Sequence, residues 1–507
     1  MNRAVKVGLW CGLLFGLIVI VLFGGRGVLM AGLISGVLAG MLAGARTDGD
    51  TLRAGARDGG VAGAVAGALL LAINIFRHGF LDARLGVSPP PLDQTLIDSV
   101  IAIVLSAGIG AGLGAAHFFR GRNSVYGTWG ILGAVIVIFP FLDFAIRLGW
   151  LGIVIASLIF ILLALGLNVV VGYAGLLDLG YAAFFAIGAY TAALLSSGHF
   201  NIHLSFWLVI WIAAAMAGLF GFVLGAPTLP LRGDYLAIVT LGFGEIVPIV
   251  FRNLDKVSLS FIGTPILANF NLTGGELGIS PIDPPALPGV NFADRSDQRA
   301  WYFLLLLIIL FSIFLINRLR SSRMGRAWMA MREDELAAAS MGINIVRTKL
   351  LAFAMGASFS GFGGAYFAVF VSGAFPSSFD FSVSVIVLCM VILGGLGNMA
   401  GVIVGGLIIE LSDRLFLPQL ALFLQTLSKN NPNLTALQNF DPTLYRVGLF
   451  GLVLVLMMQL RPEGLLPSAR RRMELHAGDE QADAAAQERT DLYEVQSEAT
   501  GRALLEE

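Results

Sequence analysis

Only two cysteines occur in 507 residues, Cys11 and Cys389. Both lie in apolar runs, so neither a disulfide framework nor a cysteine-based metal cluster is readable. Lysine is almost as scarce: there are four, Lys6, Lys256, Lys349 and Lys429, and none follows a glycine. A phosphate-binding loop needs a Gly-Lys pair, so that backbone N–H groups and the ammonium hold the phosphates together. This chain therefore has no nucleotide-hydrolysing loop of that kind. Charge as a whole is thin, 13% against about a quarter in soluble domains. What is present instead is apolar, 57% of the residues, and the chain reads as an integral membrane protein.

A spanning helix needs about 20 apolar residues. Candidate segments are 7–23, 28–45, 59–76, 95–119, 128–146, 150–171, 183–197, 205–225, 235–251, 301–317, 350–371, 382–396, 400–416 and 444–460, with 382–416 readable as a broken pair. The fold class is thus all-α, a polytopic transmembrane bundle of about 14 segments. Met1–Phe23 has the basic start and apolar run of a signal peptide, but no small-residue cleavage site precedes Arg26, so it is expected to remain as the first helix. Basic loops resist translocation. With Arg3 and Lys6 inside, the parity places Arg46, Arg53, Arg57, Arg120, Arg122, Arg232, the 318–349 loop and Arg470–Arg472 inside as well. Both termini are then cytoplasmic, and the proline-rich loop 252–300 faces outside.

The first segments differ from the rest. Gly32, Gly36, Gly40 and Gly44 recur every fourth residue, as do Gly59, Gly63 and Gly67, a spacing that lets a second helix backbone approach closely. Residues 1–127 are read as a glycine-rich membrane module of about four helices. Within it, Arg77–Gln94, with Pro89, Pro90 and Pro91, is expected to be extended. The charged tail 468–507 reads as a mobile cytoplasmic end.

The most informative stretch is Arg318–Lys349, between the apolar runs Trp301–Ile316 and Leu350–Val371. It holds seven basic residues and the acidic cluster Glu333, Asp334 and Glu335. Ala327–Met341 lacks Gly and Pro and is rich in helix formers, which predicts a short helix stopped by Gly342, with Asp334 or Glu335 suited to a place near a helix start. Farther up the chain, Gly172–Gly180 interrupts an apolar region with glycine and a carboxylate. Either unwound backbone lines a substrate path there, or Asp178 caps a helix over Tyr181–Leu195. Glu245 lies in the middle of an apolar run, where an ionised carboxylate costs about 2.5–3.5 kcal/mol. It is either a satisfied structural carboxylate or a path residue, and Pro248 one turn later should kink the helix. His199 and His203 have a ligand-like spacing but no third ligand in reach. Gly395 and Asn398 belong to a GGLGN turn with no preceding strand, which argues against nucleotide binding.

Three sequences carry a resemblance: GRAWMAMREDELAAASMGIN in the loop, LGLNVVVGYAGLLDLGYAAFFAIGAYTAAL at 165–194, and VILGGLGNMAGVIVGG at 391–406. RGDYLAIVTLGFGEIVPIVFR (232–252) and RPEGLL (461–466) extend it. Ala337, Ala338 and Gly342 keep the Ala-Ala-x3-Gly spacing of the coupling loop in ABC importer permeases, with the acid one place early at Glu335. The wording resembles the LivM-type branched-chain amino acid permeases across 128–467, a core of about ten segments. The resemblance implies a permease subunit in the bacterial cytoplasmic membrane, not an enzyme, that binds no cofactor itself. Its expected partners are a LivH-type permease, two cytoplasmic ATPases that hydrolyse ATP, and an extracytoplasmic solute-binding protein. Substrates would be branched-chain amino acids, with urea or short amides in related branches, and the rival reading is an ion-coupled secondary transporter. Coupling would fall to Arg326, Glu333, Asp334, Glu335, Ala337, Ala338 and Gly342. Asn168, Gly172, Gly175, Asp178, Glu245, Gly395 and Asn398 would serve the translocation path. Asp178 and Tyr181 stand where many members carry Ser or His, so the family assigns those two side chains no role.

Overall fold

The computed structural model describes Lys6, Leu9, Gly32, Ser35, Gly36 and residues 52–76, 92–116, 136–141, 143–144, 149–228, 234–255, 257–261, 264–295, 297–430, 440–461 and 464–466. The tail 468–507 and most of the expected segments 7–23, 28–45 and 128–146 and of the Arg77–Gln94 linker lie outside these residues. Two compact units are formed, one from Met1–Gly152 with Ser412–Arg446, the other from Ile153–Leu411 with Val447–Glu507. Among the described residues eight helices are long and apolar enough to cross a membrane. The architecture is all-α and polytopic, with only short β-hairpins in its connections.

In the first unit, α1 (Leu52–Phe76) and α2 (Leu92–Ala116) pack along their small-residue faces. A Cβ on Gly67 would stand 2.7 Å from the Ile103 Cα, and one on Gly63 would stand 3.0 Å from the Ala107 Cα. Gly36 meets Ser106 in the same way, so the four-residue glycine spacing does mark close backbone approach. Ser106 Oγ donates to the Gly63 carbonyl (2.8 Å) and Asn74 Nδ2 to Ser99 Oγ (2.9 Å), which satisfies polar groups in the seam.

The second unit is built on α3 (Leu151–Leu167), α4 (Tyr181–Leu195), α5 (Phe206–Thr228), α6 (Asp234–Asn253) and α7 (Arg299–Ser321). They are followed by α8 (Arg323–Glu333), α9 (Glu335–Ser340), α10 (Ile345–Val371), α11 (Phe381–Gly394) and α12 (Met399–Leu411); beyond α13 (Leu417–Asn430) of the first unit comes α14 (Arg446–Leu460). At 27 residues, or about 40 Å, α10 is the longest. It can be central because its glycines let neighbours in: a Cβ on Gly188 of α4 would stand 2.6 Å from the Gly361 Cα, and one on Gly361 2.8 Å from the Ala214 Cα of α5. Buried aromatics close one end, where Tyr366 Oη donates to the Trp301 carbonyl (2.7 Å). There the long loop before α7 folds back on α4 and α10: Asp283 N–H donates to Ser196 O (2.8 Å), and Ile279 and Ala374 exchange backbone bonds of 3.1 Å.

One expected segment is shorter than a bilayer requires: α4 has 15 residues, about 22 Å against a hydrocarbon core of about 30 Å, whereas α12 runs on without a break into the π-helical stretch Ser412–Phe416. α11 and α12 form the broken pair expected at 382–416, joined by the turn at Gly395–Asn398. α6 carries Pro248 inside a continuous helix.

Candidate functional site

The basic loop is not one helix. The helix expected over Ala327–Met341 is interrupted at Asp334, whose backbone is extended (φ −152°, ψ 113°). The carboxylate causes the break: Asp334 Oδ1 accepts from the N–H groups of Leu336 (2.8 Å) and Ala337 (3.0 Å), so it caps α9 instead of continuing α8. Ser322 caps α8 and Asn344 caps α10 in the same manner. Gly342 ends α9 with φ +84°, a conformation that suits glycine.

One side of this pair of helices is seated on the chain. Trp328 is fully buried and its Nε1 donates to the Thr348 carbonyl (2.8 Å). Met331 and Ala338 are buried as well. Glu335 is drawn inward, with Oε1 2.6 Å from Lys349 Nζ on α10. The other side is open, and it is apolar: Leu336 is 68% exposed and Met341 84% exposed. Arg326, Glu333, Asp334 and Ala337 are exposed around them, and Arg326 Nη1 donates to the Ser321 carbonyl (2.8 Å). The expected docking set is thus divided, with Ala338 and Glu335 facing the chain's own core. Leu336, Met341, Arg332 and Lys349 went unread in the sequence. A bulky apolar residue exposed among charges was the available signal for the first two.

Arg332 connects this loop to the broken backbone upstream. Past α3 the chain continues as a π-helix, Asn168–Tyr173, buried throughout. Arg332 Nη1 donates to the Gly172 carbonyl, and Asn168 Oδ1 accepts from the N–H of Gly397 (2.9 Å) in the α11–α12 turn. That turn needs its glycines: Gly395 has φ +114° and Gly397 φ +80°. Asn398 Nδ2 donates to the Leu466 carbonyl (2.8 Å), while Leu465 and Leu466 N–H groups donate to Leu393 and Gly394 carbonyls (2.9 and 3.1 Å). Asn168, Gly172, Gly175, Gly395 and Asn398 therefore come together with Arg332 in one knot of four chain segments.

Asp178 does not cap α4 as its position suggested. Its Oδ1 accepts from Gly180 N–H (2.9 Å), outside the helix proper. The helix start is served instead by Ser384 of α11, whose Oγ accepts from Ala182 N–H (2.9 Å). Asp178 is buried and its Oδ2 has no hydrogen-bond partner. Burial pushes its carboxyl up to about 7 despite the Gly180 N–H. It lines a cleft of about 250 Å³ with Phe184, Leu224, Thr240, Phe243 and Phe353. Glu245 is not among the residues lining this cleft; it is on the exposed face of α6 with Ile238, Ile246 and Ile249. On the opposite rim of the unit, His199 Nε2 lies 3.0 Å from the Asn271 carbonyl and His203 pairs with Asp283, so the two imidazoles engage separate partners.

Membrane-length helices around a glycine-broken core, with two short capped helices seated against it, define a polytopic membrane domain. Residues 149–458 match the family model described as branched-chain amino acid transport system / permease component, and the chain belongs to that family. It is 39% identical over 367 residues to the high-affinity branched-chain amino acid transport system permease protein LivM of Escherichia coli K12, covering 68% of this chain and 77% of that protein. Identity to the Salmonella typhimurium LivM is 38% over 374 residues, 70% of this chain and 78% of the relative. The E. coli LivH permease is 26% identical over 273 residues, 50% of this chain and 80% of its own length. No solved structure matches.

Proposed function

We propose that this chain is one of two membrane-spanning subunits of an ATP-driven importer for branched-chain amino acids, working beside a LivH-type permease in the bacterial cytoplasmic membrane. Two cytoplasmic ATPases and an extracytoplasmic binding protein complete the assembly, and the chain itself binds no nucleotide. The observation that carries this reading is the two-faced loop. Its inner side is locked to α10 through Trp328 and the Glu335–Lys349 pair, and its outer side offers Leu336 and Met341. A loop of that build fits a docking element whose movement a membrane helix must follow. Arg326, Glu333, Asp334, Ala337 and Gly342 surround the apolar contact, which an ATPase groove would cover. The translocation path would run past Asn168, Gly172, Gly175, Asp178, Gly395 and Asn398. Glu245 joins it from the exposed face of α6, where a carboxylate against lipid would cost about 2.5–3.5 kcal/mol. Both termini and the basic loop are assigned to the cytoplasm by their arginines.

The test is uptake of labelled leucine or isoleucine by liposomes holding the chain with its four partners. Uptake that requires ATP and the binding protein supports the reading. Uptake that follows an ion gradient without ATP would replace it with a secondary transporter, and displacement by urea or short amides, without displacement by leucine, would move the substrate to that branch.

A further inference from the structure

Arg332 is held along its whole length. Gly175, at φ +72°, presents bare backbone to the aliphatic stem, and a Cβ there would stand 2.7 Å from Arg332 Cγ. At the tip, Nη1 donates to the Gly172 carbonyl and lies 3.5 Å from the place a Gly397 Cβ would occupy. One guanidinium thus touches the two segments that Asn168 already ties together through Gly397 N–H. Gly172 and Asn168 both belong to the π-helical stretch, in which each turn carries an extra residue relative to an α-helix. Tightening that turn by one residue is a discrete, local change, and the end of α3 would rotate with it. The present register also leaves the buried Nδ2 of Asn168 without a hydrogen-bond partner. An unpaired buried donor disfavours the state that contains it, so a second register has something to relieve.

We propose that Arg332 is the positioning residue that carries movement of the coupling helices into the membrane core, by holding the π-helical register of Asn168–Tyr173 through the Gly172 carbonyl. The proposal rests on the ATP-driven reading above. Trp328 and Glu335 bind the loop to α10 and would move that helix as a body. Arg332 reaches a different element, so a shift of α8 pulls on the Gly172 carbonyl or releases it. Either event changes what holds Asn168 against the Gly397 turn. Arginine suits the task because its planar fork donates in a fixed direction while its stem fills the space over Gly175; lysine would keep the charge without the fork.

The experiment uses the complete importer in liposomes, with Arg332→Ala and Arg332→Lys in this chain. Copurification of the partners, basal ATP hydrolysis and amino acid moved per ATP are measured. The expected result is normal copurification and basal hydrolysis within twofold, with at least a tenfold fall in amino acid per ATP for Arg332→Ala. Arg332→Lys should recover part of that ratio. An unchanged ratio in Arg332→Ala overturns the proposal, and so does loss of copurification in either variant, which would make Arg332 a structural clamp. Wild-type importer in the same liposomes separates the two levels. If it moves amino acid without ATP, the ATP-driven reading fails and takes the proposal with it. If it is ATP-driven and Arg332→Ala matches its ratio, the proposal alone fails.

Discussion

Replacing Glu335 by alanine should damage the loop far more than replacing its partner Lys349 by methionine. The two side chains meet at 2.6 Å, but their surroundings differ: the Lys349 side chain is 8% exposed and that of Glu335 24% exposed. Breaking a buried pair by removing one member costs about 3–5 kcal/mol, because the other charge stays buried and uncompensated. Glu335→Ala leaves that burden on the ammonium, which is anchored in α10 and has little route to water. Lys349→Met leaves it on a carboxylate at the start of α9, which can swing into solvent, while the methionine fills the vacated space. A cost of about 3 kcal/mol for Glu335→Ala raises the locally open population roughly a hundredfold, at about 1.4 kcal/mol per factor of ten. Hydrogen exchange of the amides in 335–349, followed on the purified chain in detergent, reads this population directly. The double variant should exchange more slowly than Glu335→Ala alone, since it removes the stranded charge. Equal exchange in wild type and Glu335→Ala, or faster exchange in Lys349→Met than in Glu335→Ala, would refute the argument.

Asp178→Asn should abolish a pH dependence. A carboxyl raised from 3.8 to about 7 in the fold stabilises fully below pH 4, and that stability is lost as pH climbs through 7, by up to about 4 kcal/mol. The wild-type melting temperature should therefore fall between pH 5 and pH 7.5 while that of the asparagine variant, which keeps an acceptor for Gly180 N–H, stays level; parallel curves would show that Asp178 does not titrate there. Trp328→Ala should lower stability by about 3–5 kcal/mol, through the emptied site and the lost bond to the Thr348 carbonyl, as measured by denaturant or thermal unfolding in detergent. Gly63→Leu should push α1 off α2 at a cost of at least about 1–3 kcal/mol, read as earlier proteolysis of the first unit; unchanged protection would mean that the glycine seam is not tight. A crosslinker should join Met341→Cys to a docked ATPase and fail with Ala338→Cys, because only the former side chain is exposed.

What could be read in advance followed from local pattern. Apolar runs and glycines four apart act within a few turns of chain, and the all-α membrane character of the described residues and the α1–α2 seam came out accordingly. Asp334 shows the limit of such reading. In a run of Glu, Asp and Glu among helix formers nothing marks which acid will turn back onto the N–H groups two and three residues ahead, yet that choice divides one helix into two. The pair of Glu335 with Lys349, the bond from Arg332 to Gly172 and the cap that Ser384 supplies to Ala182 lie farther from view. They join residues 14, 160 and 202 positions apart, and no periodicity links such partners. Of the two readings of Asp178, the cap failed for the same reason: a nearby helix start made it attractive, but a serine from another helix serves that start.

The strap formed by Leu465 and Leu466 has a bearing on how the protein is made. These residues close the Leu393–Gly394 carbonyls and receive the Asn398 amide, yet the ribosome reaches them only after every described helix has been synthesised. During elongation the glycine turn that grips Asn168 stays open at its back, and the knot beneath the basic loop is finished last. A nascent chain halted just past α14 would hold all its described membrane helices and still lack the fastening. A chain that stops before Leu465 leaves the Leu393 and Gly394 carbonyls and the Asn398 amide without these partners, whatever its helices have achieved.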